Sequence, residues 1–454
     1  MNTGGGDNYA SAIALQPDGK LLIAGTCFNG IDQDFCAFRL RSDGNLDPDF
    51  GVAGKIMTAI GTGHDYAFAI VVQPDGMFVL AGACFVTSYQ YCAARYRQDG
   101  SLDSTFALNG KLLGTGSFNS RAFAALQQPD GKLVLVGECY VGTNMDFCAR
   151  RYDPSGQHDA SFGTDGYVVT SIGTARDSAA TVVLQPDGRL VLAGTCTVSG
   201  NFDFCAVRYG NDGSIDVSFG SGGAVSLPFF GGDDYVNGLL LQPDGKLLLL
   251  GSCNNGSPFE LDFCMVRLNS EGALDTSFGA GGKINPASGK NNTVSAASLQ
   301  PDGKFLAAGT CLDGSSRVFC VRRYHPDGSQ DVTFGVAGQA ATSIVPGYET
   351  LTAMIAQPDG KVVVAGSCSK EGGMDPCVAR FNGGPFGYKN CSLDIDGDNR
   401  VLAMTDSLIH TRIALGVTGP AVANGITFPP TATRNTWPLI RDYLVTQCGM
   451  SLVQ

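Results

Sequence analysis

Between residues 8 and 386, short apolar segments alternate with groups of turn-forming residues. The first such segments are Tyr9–Leu15, Lys20–Gly25, Phe35–Leu40 and Lys55–Ile60. Each is short and lacks the spacing of an amphipathic helix, so each predicts a strand. Pro17-Asp18-Gly19 separates the first two segments and has the composition of a tight turn. The pattern therefore predicts a unit of four antiparallel strands.

This unit is repeated seven times, and the sequence Gln-Pro-Asp-Gly marks each copy. The proline positions are Pro17, Pro74, Pro129, Pro186, Pro243, Pro301 and Pro358. They are 57, 55, 57, 57, 58 and 57 residues apart, which is typical of a repeat architecture. A ring of such sheets buries every blade against its neighbours, whereas an open solenoid normally has shorter, parallel coils. We expect a mainly β protein: a seven-bladed β-propeller of four-stranded antiparallel blades over residues 1–386, with repeats starting near 8, 65, 120, 177, 234, 292 and 349.

The 16 cysteines follow the same period. One pair per repeat, plus one pair in the tail, predicts eight disulfides: Cys27–Cys36, Cys84–Cys92, Cys139–Cys148, Cys196–Cys205, Cys253–Cys264, Cys311–Cys320, Cys368–Cys377 and Cys391–Cys448. Zinc binding is the alternative, but two cysteines per repeat are too few ligands for a closed zinc site. Disulfides indicate an exported protein, extracellular or at the cell surface. No signal peptide is visible at Met1, so we expect that one has been removed.

An arginine lies three residues after the second cysteine of every repeat, and six repeats carry an aspartate eight residues later. These pairs are Arg39 and Asp47, Arg95 and Asp103, Arg151 and Asp159, Arg208 and Asp216, Arg267 and Asp275, and Arg323 and Asp331; Arg380 is the seventh arginine. Seven identical ligand sites are one interpretation. A structural ion pair between the third strand and the following corner is the other, and we favour it because every blade needs it.

The seventh repeat stops before its corner and its fourth strand. Met1 aligns with Thr58 of the next repeat. We therefore expect that the missing strand lies upstream of Met1, or that Met1–Thr3 provide a short closure beside Cys377–Phe381.

Residues 387–454 follow a different pattern and predict a small α-helical module. Asp394, Asp396 and Asp398 alternate like the ligands of an EF-hand calcium loop, in which Arg400 would offer its carbonyl and Asp406 the closing carboxylate. A solvated turn without an ion is the alternative. We expect one calcium ion here, followed by helices at Ser407–Leu415 and Trp437–Gln447.

The combined repeat, Gln-Pro-Asp-Gly-Lys followed by Ala-Gly-x-Cys, Phe-Cys-x-x-Arg-Tyr and Asp-x-x-Phe-Gly, resembles the bacterial delta-60 repeat family over residues 8–386. That resemblance implies a β-propeller in an exported bacterial protein and no established enzymatic activity. The tail is similar to dockerin-type calcium modules. Only one of the usual two loops is recognisable, so the resemblance implies calcium-dependent folding and not cohesin binding.

Composition and motifs restrict the function classes. The net charge of −12 argues against nucleic acid as a partner, and no apolar run is long enough to span a membrane. The four histidines are not in register, and neither a nucleophile motif nor a phosphate-binding loop occurs. We therefore expect a non-enzymatic binding or structural protein that binds a protein or glycan at the variable loops between the cysteines. The alternatives are a filament subunit whose tail contacts a neighbouring propeller, and a propeller hydrolase or lyase with a site in its channel.

Overall fold

The computed structural model confirms the seven-bladed β-propeller. It describes residues 6–114, 119–229, 231–254, 261–285, 291–314, 316–382, 409, 422–424, 426–430 and 432–446. Seven antiparallel sheets follow each other along the chain, and six of them have four strands in sequential order.

The strands are numbered along the chain, and each blade has its first strand on one side and its fourth on the other. The first strands are β1 (Tyr9–Leu15), β5 (Asp65–Val72), β9 (Ser120–Gln127), β13 (Asp177–Leu184), β17 (Asp234–Leu241), β21 (Thr293–Leu299) and β25 (Glu349–Ala356). The second strands are β2 (Leu21–Phe28), β6 (Phe78–Phe85), β10 (Leu133–Val141), β14 (Leu190–Val198), β18 (Leu247–Asn254), β22 (Phe305–Asp313) and β26 (Val362–Lys370). The third strands are β3 (Gln33–Leu40), β7 (Tyr89–Tyr96), β11 (Asn144–Tyr152), β15 (Asn201–Tyr209), β19 (Leu261–Leu268), β23 (Ser316–Tyr324) and β27 (Gly373–Phe381). The fourth strands are β4 (Lys55–Thr58), β8 (Lys111–Leu113), β12 (Tyr167–Thr170), β16 (Ala224–Leu227), β20 (Lys283–Ile284) and β24 (Gln339–Thr342).

The Gln-Pro-Asp-Gly sequence forms the turn between the first and second strands. In blade one, the Gln16 N–H donates to the Lys20 carbonyl (2.8 Å), and the Lys20 N–H donates to Asp18 Oδ1 (3.1 Å). Proline at the first corner and glycine with positive φ complete the turn geometry. The seven copies therefore mark seven equivalent hairpins.

The first strands surround the axis of the ring. Each contacts the first strand of the next blade, and β25 of the last blade contacts β1 of the first, so the ring is closed. Apolar cores lie between neighbouring blades: Phe204 and Phe219 of blade four, for example, pack with Leu247 and Leu249 of blade five. The second strands are buried on both faces, which explains their almost continuous apolar sequences.

Every first strand carries a β-bulge after its start. In blade one the register shifts between Ala10 and Ala12, which leaves Ser11 as the extra residue. The bulge brings the backbone of the first strand close to the second strand. The second-strand residue at this contact is a glycine, which follows alanine or another small or apolar residue. A Cβ on Gly25 would lie 1.8 Å from the Tyr9 carbonyl oxygen, so this position requires glycine.

Blade seven has three strands among the described residues, β25, β26 and β27. Residues 6–8 lie beside the start of β27: the Asn8 N–H donates to the Met374 carbonyl (2.9 Å), and the Met374 N–H donates to Asp7 Oδ1 (3.0 Å). The predicted closure by Met1–Thr3 falls outside the described residues and stays a prediction.

The described part of the tail contains one helix, α1 (Trp437–Thr446). Ile440, Tyr443 and Leu444 of this helix pack with Ile409 and Val422. Within the described ranges, no helix has the length and apolar character needed to cross a membrane.

Candidate functional site

Two rims of the propeller carry the candidate residues. The cysteine rim consists of the loops between second and third strands and the connections from each fourth strand to the next blade, together with the strand residues that adjoin them. The turn rim, at the opposite ends of the strands, consists of the Gln-Pro-Asp-Gly turns and the turns that follow the third strands.

Disulfides hold the cysteine rim in all seven blades. They join the predicted partners Cys27–Cys36, Cys84–Cys92, Cys139–Cys148, Cys196–Cys205, Cys253–Cys264, Cys311–Cys320 and Cys368–Cys377. Each bond connects the end of a second strand to the start of a third, with Cα atoms 5.6–5.9 Å apart. The cysteines lie inside the strands rather than in the loops. The eighth predicted pair, Cys391–Cys448, lies outside the described residues.

On the turn rim, the repeated arginines contact the aspartates eight residues later. Arginine Nε lies 2.7 or 2.8 Å from the carboxylate in Arg39–Asp47, Arg151–Asp159, Arg208–Asp216, Arg267–Asp275 and Arg323–Asp331, and Arg95 Nη2 lies 2.7 Å from Asp103. Each of these six guanidinium groups also stacks on the phenylalanine of the following corner, for example Arg151 at 4.6 Å from the centre of the Phe162 ring.

Five of these arginines, and Arg380 of blade seven, also connect one blade to the next. Nη1 donates to a backbone carbonyl in the following blade in the pairs Arg39–Gln98, Arg95–Pro154, Arg151–Asn211, Arg208–Ser270, Arg267–Pro326 and Arg380–Ser42. The last of these joins blade seven to blade one at 2.9 Å. The arginine therefore links two blades, and we call this set of contacts the joint between them. The contact with the next blade was not predicted from the sequence.

The basic residue after Gln-Pro-Asp-Gly completes the joint. It lies 2.9–3.2 Å from the corner carboxylate in the pairs Lys20–Asp47, Lys132–Asp159, Arg189–Asp216, Lys246–Asp275 and Lys304–Asp331. The Ser277 hydroxyl, together with Lys246 and Arg267, holds the pKa of Asp275 well below its usual range despite partial burial. A cavity of about 360 Å³ lies between blades one and two on this rim, but its Lys20 and Arg39 are already paired with Asp47. The repeated charged residues of the turn rim are therefore structural.

A second row of polar residues lies on the cysteine rim, at the start of each first strand. All seven members are buried: Asn8, Asp65, Ser120, Asp177, Asp234, Asn292 and Glu349. The four carboxylates accept backbone hydrogen bonds from the adjoining connections; Asp177, for example, accepts from Ile172 (2.7 Å) and Gly173 (2.8 Å). Asn8 and Asn292 accept instead from the second strand of their own blade. This row was not predicted from the sequence because its residue types vary.

Buried carboxylates from neighbouring blades face each other along this row. Burial, with a smaller contribution from Asp203, raises the pKa of Asp234 to about 7, although Lys283 opposes the shift. Burial likewise raises the pKa of Asp65, and Asp34 of the preceding blade adds to that effect. These groups stabilise connections at the cost of a buried charge.

The cysteine rim differs from blade to blade, and its most distinctive feature is an aromatic patch in blades two and three. The patch consists of His64, Tyr66, Phe68, Phe85, Tyr89 and Phe123, whose successive ring centres are 5.3–6.1 Å apart. Phe68 and Phe123 are the bulge residues of their strands. The same position elsewhere is small or polar: Ser11, Ala180, Asn237, Ser295 and Thr352. None of the six residues of the patch is buried, so the patch is available for contact.

A charged cluster adjoins the aromatic patch. Glu138 is fully buried and forms two-point contacts with Arg176, at 2.8 and 3.1 Å, while Arg121 Nη1 lies 3.5 Å from Glu138 Oε1. The Arg121 guanidinium also lies 5.1 Å from the centre of the Tyr89 ring. Blades two, three and four thus together form one non-repeated site on the cysteine rim, which we name the rim site.

The predicted calcium ligands Asp394, Asp396, Asp398, Arg400 and Asp406 lie outside the described residues, so the calcium site stays a prediction. Within the described ranges, no group of three or more His, Cys, Asp or Glu side chains is placed to hold a metal ion.

These features define a disulfide-linked seven-bladed propeller with one structural rim and one variable rim. The chain belongs to the family described as "Domain of unknown function (DUF5122) beta-propeller". Its matched segments, which together cover more than half of the chain, are residues 16–50, 73–106, 128–162, 185–219, 242–278, 300–334 and 357–383. A search of curated proteins finds no significant match.

Solved propellers with a similar fold are distant in sequence. Sqt1 from Chaetomium thermophilum, bound to the N-terminus of ribosomal protein L10, is 15% identical with a TM-score of 0.45, over 79% of this chain and 94% of Sqt1. A PL25 ulvan lyase is 13% identical with a TM-score of 0.47, over 82% of this chain and 96% of the lyase. The propeller domain of the Trilobed protease from Pyrococcus furiosus is 11% identical with a TM-score of 0.44, over 84% and 99%.

The prediction that the protein is not an enzyme is wrong. It depended on the lack of a familiar catalytic motif, yet the similar structures include a polysaccharide lyase.

Proposed function

We propose that the protein is an extracellular or cell-surface propeller that binds a glycan or a protein at its cysteine rim, with the rim site as the centre of contact. The aromatic patch is the observation that carries this proposal. Partly exposed rings next to a few fixed polar groups are the usual composition of a binding surface.

The difference between the two rims supports the cysteine rim as the binding face. The charged groups of the repeated joints on the turn rim are already paired with one another or with a backbone carbonyl of the next blade. The cysteine rim has variable loops on a scaffold that disulfides fix in each blade. Binding residues on loops that a rigid framework positions are a common arrangement. The seven disulfides also support an oxidising, extracellular location.

The test is a binding screen of the full chain against glycans and extracellular proteins, repeated with Tyr89→Ala. Tyr89 contacts both Tyr66 and Arg121, so its loss should weaken binding by more than about tenfold, as for an interface hot spot. Tyr167→Ala is the matched control, because Tyr167 is a partly exposed tyrosine on the outer strand β12. Equal binding by the Tyr89 variant and the wild type would refute the proposal. The ligand is also recovered and analysed by mass spectrometry, since a binding rim can host a reaction.

We propose further that the tail is a calcium-stabilised attachment module. The alternating Asp394, Asp396 and Asp398 support it, since hard carboxylate oxygens at this spacing converge on calcium. Calorimetric titration of the chelator-treated chain should show one calcium ion per molecule, and the double variant Asp394→Ala/Asp398→Ala should show none. Equal calcium binding by the variant would contradict this assignment.

A further inference from the structure

Glu138 occupies a position that carries a small residue in the other six blades. The equivalents, each immediately before the first cysteine, are Thr26, Ala83, Thr195, Ser252, Thr310 and Ser367. In three of them the hydroxyl accepts a hydrogen bond from the next blade, as when Ser252 accepts from Val294 N (3.0 Å). Blade three therefore carries a buried carboxylate where the other blades have a small residue.

A buried carboxylate is costly unless cations and hydrogen bonds compensate for its lost hydration. Arg176 and Arg121 supply that compensation, but two guanidinium groups exceed what one carboxylate needs. Their side chains remain 53% and 34% exposed, whereas Glu138 is 0% exposed. Among the residues that the structure describes, Arg176 Nη1 has no hydrogen-bond partner. Glu138 thus holds two arginines in fixed positions and leaves one positive charge in excess.

Two other carboxylates near this cluster already have backbone partners. Asp65 accepts hydrogen bonds from Ile60 N and Gly61 N, and Asp177 accepts from backbone groups of its own connection. The excess charge of the arginine pair is therefore available to a ligand, although the protein carries a net charge of −12.

We infer that the rim site binds an acidic oligosaccharide, with its carboxylate or sulfate group on Arg121 and Arg176 and its sugar rings on Tyr89 and Tyr66. This inference rests on the proposed function and names its ligand class. Guanidinium groups recognise planar carboxylates and sulfate-like oxyanions at two points. Aromatic faces in the same site suit the flat C–H face of a sugar. An acidic peptide presents the charge without that face, so the aromatic patch favours the glycan.

The test uses matched charged and neutral probes in calorimetric titrations of the full chain. One pair is an oligogalacturonate and its methyl ester, and the other is a sulfated dextran oligosaccharide and unsulfated dextran; poly-glutamate is the acidic-peptide probe. We expect at least one acidic sugar to bind at least tenfold more tightly than its neutral partner and than poly-glutamate. Arg176→Gln should remove at least tenfold of that affinity, as expected for a charge-assisted hydrogen bond. Arg41→Gln is the control, because Arg41 is an exposed arginine on the turn rim.

The outcomes separate the inference from the proposed function. Equal binding of charged and neutral sugars, or unchanged affinity of Arg176→Gln, overturns the acidic-glycan inference. If Tyr89→Ala nevertheless loses the sugar binding, the rim site is still supported as the binding site. Tighter binding of poly-glutamate replaces the glycan with an acidic protein segment. No binding of any acidic sugar overturns the inference; a rim that also gives no Tyr89-dependent binding in the wider screen overturns the proposed function as well.

Discussion

Replacement of Arg151 by alanine removes the joint between blades three and four. Arg151 Nε lies 2.7 Å from Asp159, Nη2 lies 3.1 Å from the Ser161 hydroxyl, and Nη1 donates to the Asn211 carbonyl of the next blade. The guanidinium also stacks on Phe162. Only 2% of Arg151 is exposed, so water cannot replace these contacts without opening the joint.

The expected loss follows from these contacts. Breaking a buried ion pair by removing one partner costs about 3–5 kcal/mol. Lys132, 3.1 Å from Asp159, remains to compensate part of the carboxylate charge, so we expect a value near the lower limit, about 3 kcal/mol. Arg380→Ala is the matched control. Arg380 holds the equivalent position in blade seven and also reaches the next blade, but it is exposed, and such contacts contribute less than about 1 kcal/mol.

The measurement is the free energy of unfolding in urea for both variants, together with amide hydrogen exchange at Gly163. The Gly163 N–H donates to the Asp212 carbonyl across the same joint (2.7 Å), so its exchange reports on opening between these blades. Arg151→Ala should speed this exchange strongly and Arg380→Ala should not. Similar free energies for the two variants, or unchanged exchange at Gly163, would refute the assignment of the buried arginine as the joint.

Three further predictions follow from particular contacts. Asp234 has a folded-state pKa of about 7 against an ordinary value of 3.8, so the folded state binds the extra proton and stability rises as the pH falls through 7. Asp234→Asn should therefore stabilise the protein, and urea titrations should show about 2 kcal/mol more stabilisation at pH 8 than at pH 5. The same stabilisation at both pH values would contradict this. Asn8 and Asn292 show that asparagine fits this position. Gly213→Ala should destabilise the protein by about 1–3 kcal/mol more than Gly44→Ala. Both glycines have φ near +85°, but only at Gly213 would an added Cβ meet the preceding blade, 2.7 Å from Gly163 N. Equal shifts in melting temperature would show that the corner is not packed as described. Replacing Cys196 and Cys205 with serine should cost about 2.6 kcal/mol of unfolding free energy, as expected for a short disulfide loop, and no loss would show that this loop needs no disulfide.

Much of the fold could be predicted from the sequence because the repeat shows the same short-range rules seven times. Turn residues, strand periodicity and the cysteine spacing all act within one blade, and the local pairing of Arg151 with Asp159 spans only eight residues. The bond from Arg151 to Asn211 spans 60 residues and depends on how blades are placed around the ring. No local pattern contains that information.

The rim site was missed for a similar reason. Glu138 and Arg176 are 38 residues apart and belong to different blades, so only the assembled ring brings them together. A signal did exist in the aligned repeats. Glu138 departs from the small residues at its position, and Phe68 and Phe123 depart from small or polar residues at theirs. Departures from a repeat are therefore the most informative positions for function in such a chain.

Amide hydrogen exchange of the full chain with and without its ligand shows which rim binds the ligand. We expect the ligand to protect β5, β7 and β9 near Tyr66, Tyr89 and Arg121, together with the connection that carries Arg176, and to leave the seven Gln-Pro-Asp-Gly turns unchanged. Protection confined to those turns, or to the tail alone, would contradict the assignment of the cysteine rim as the binding face.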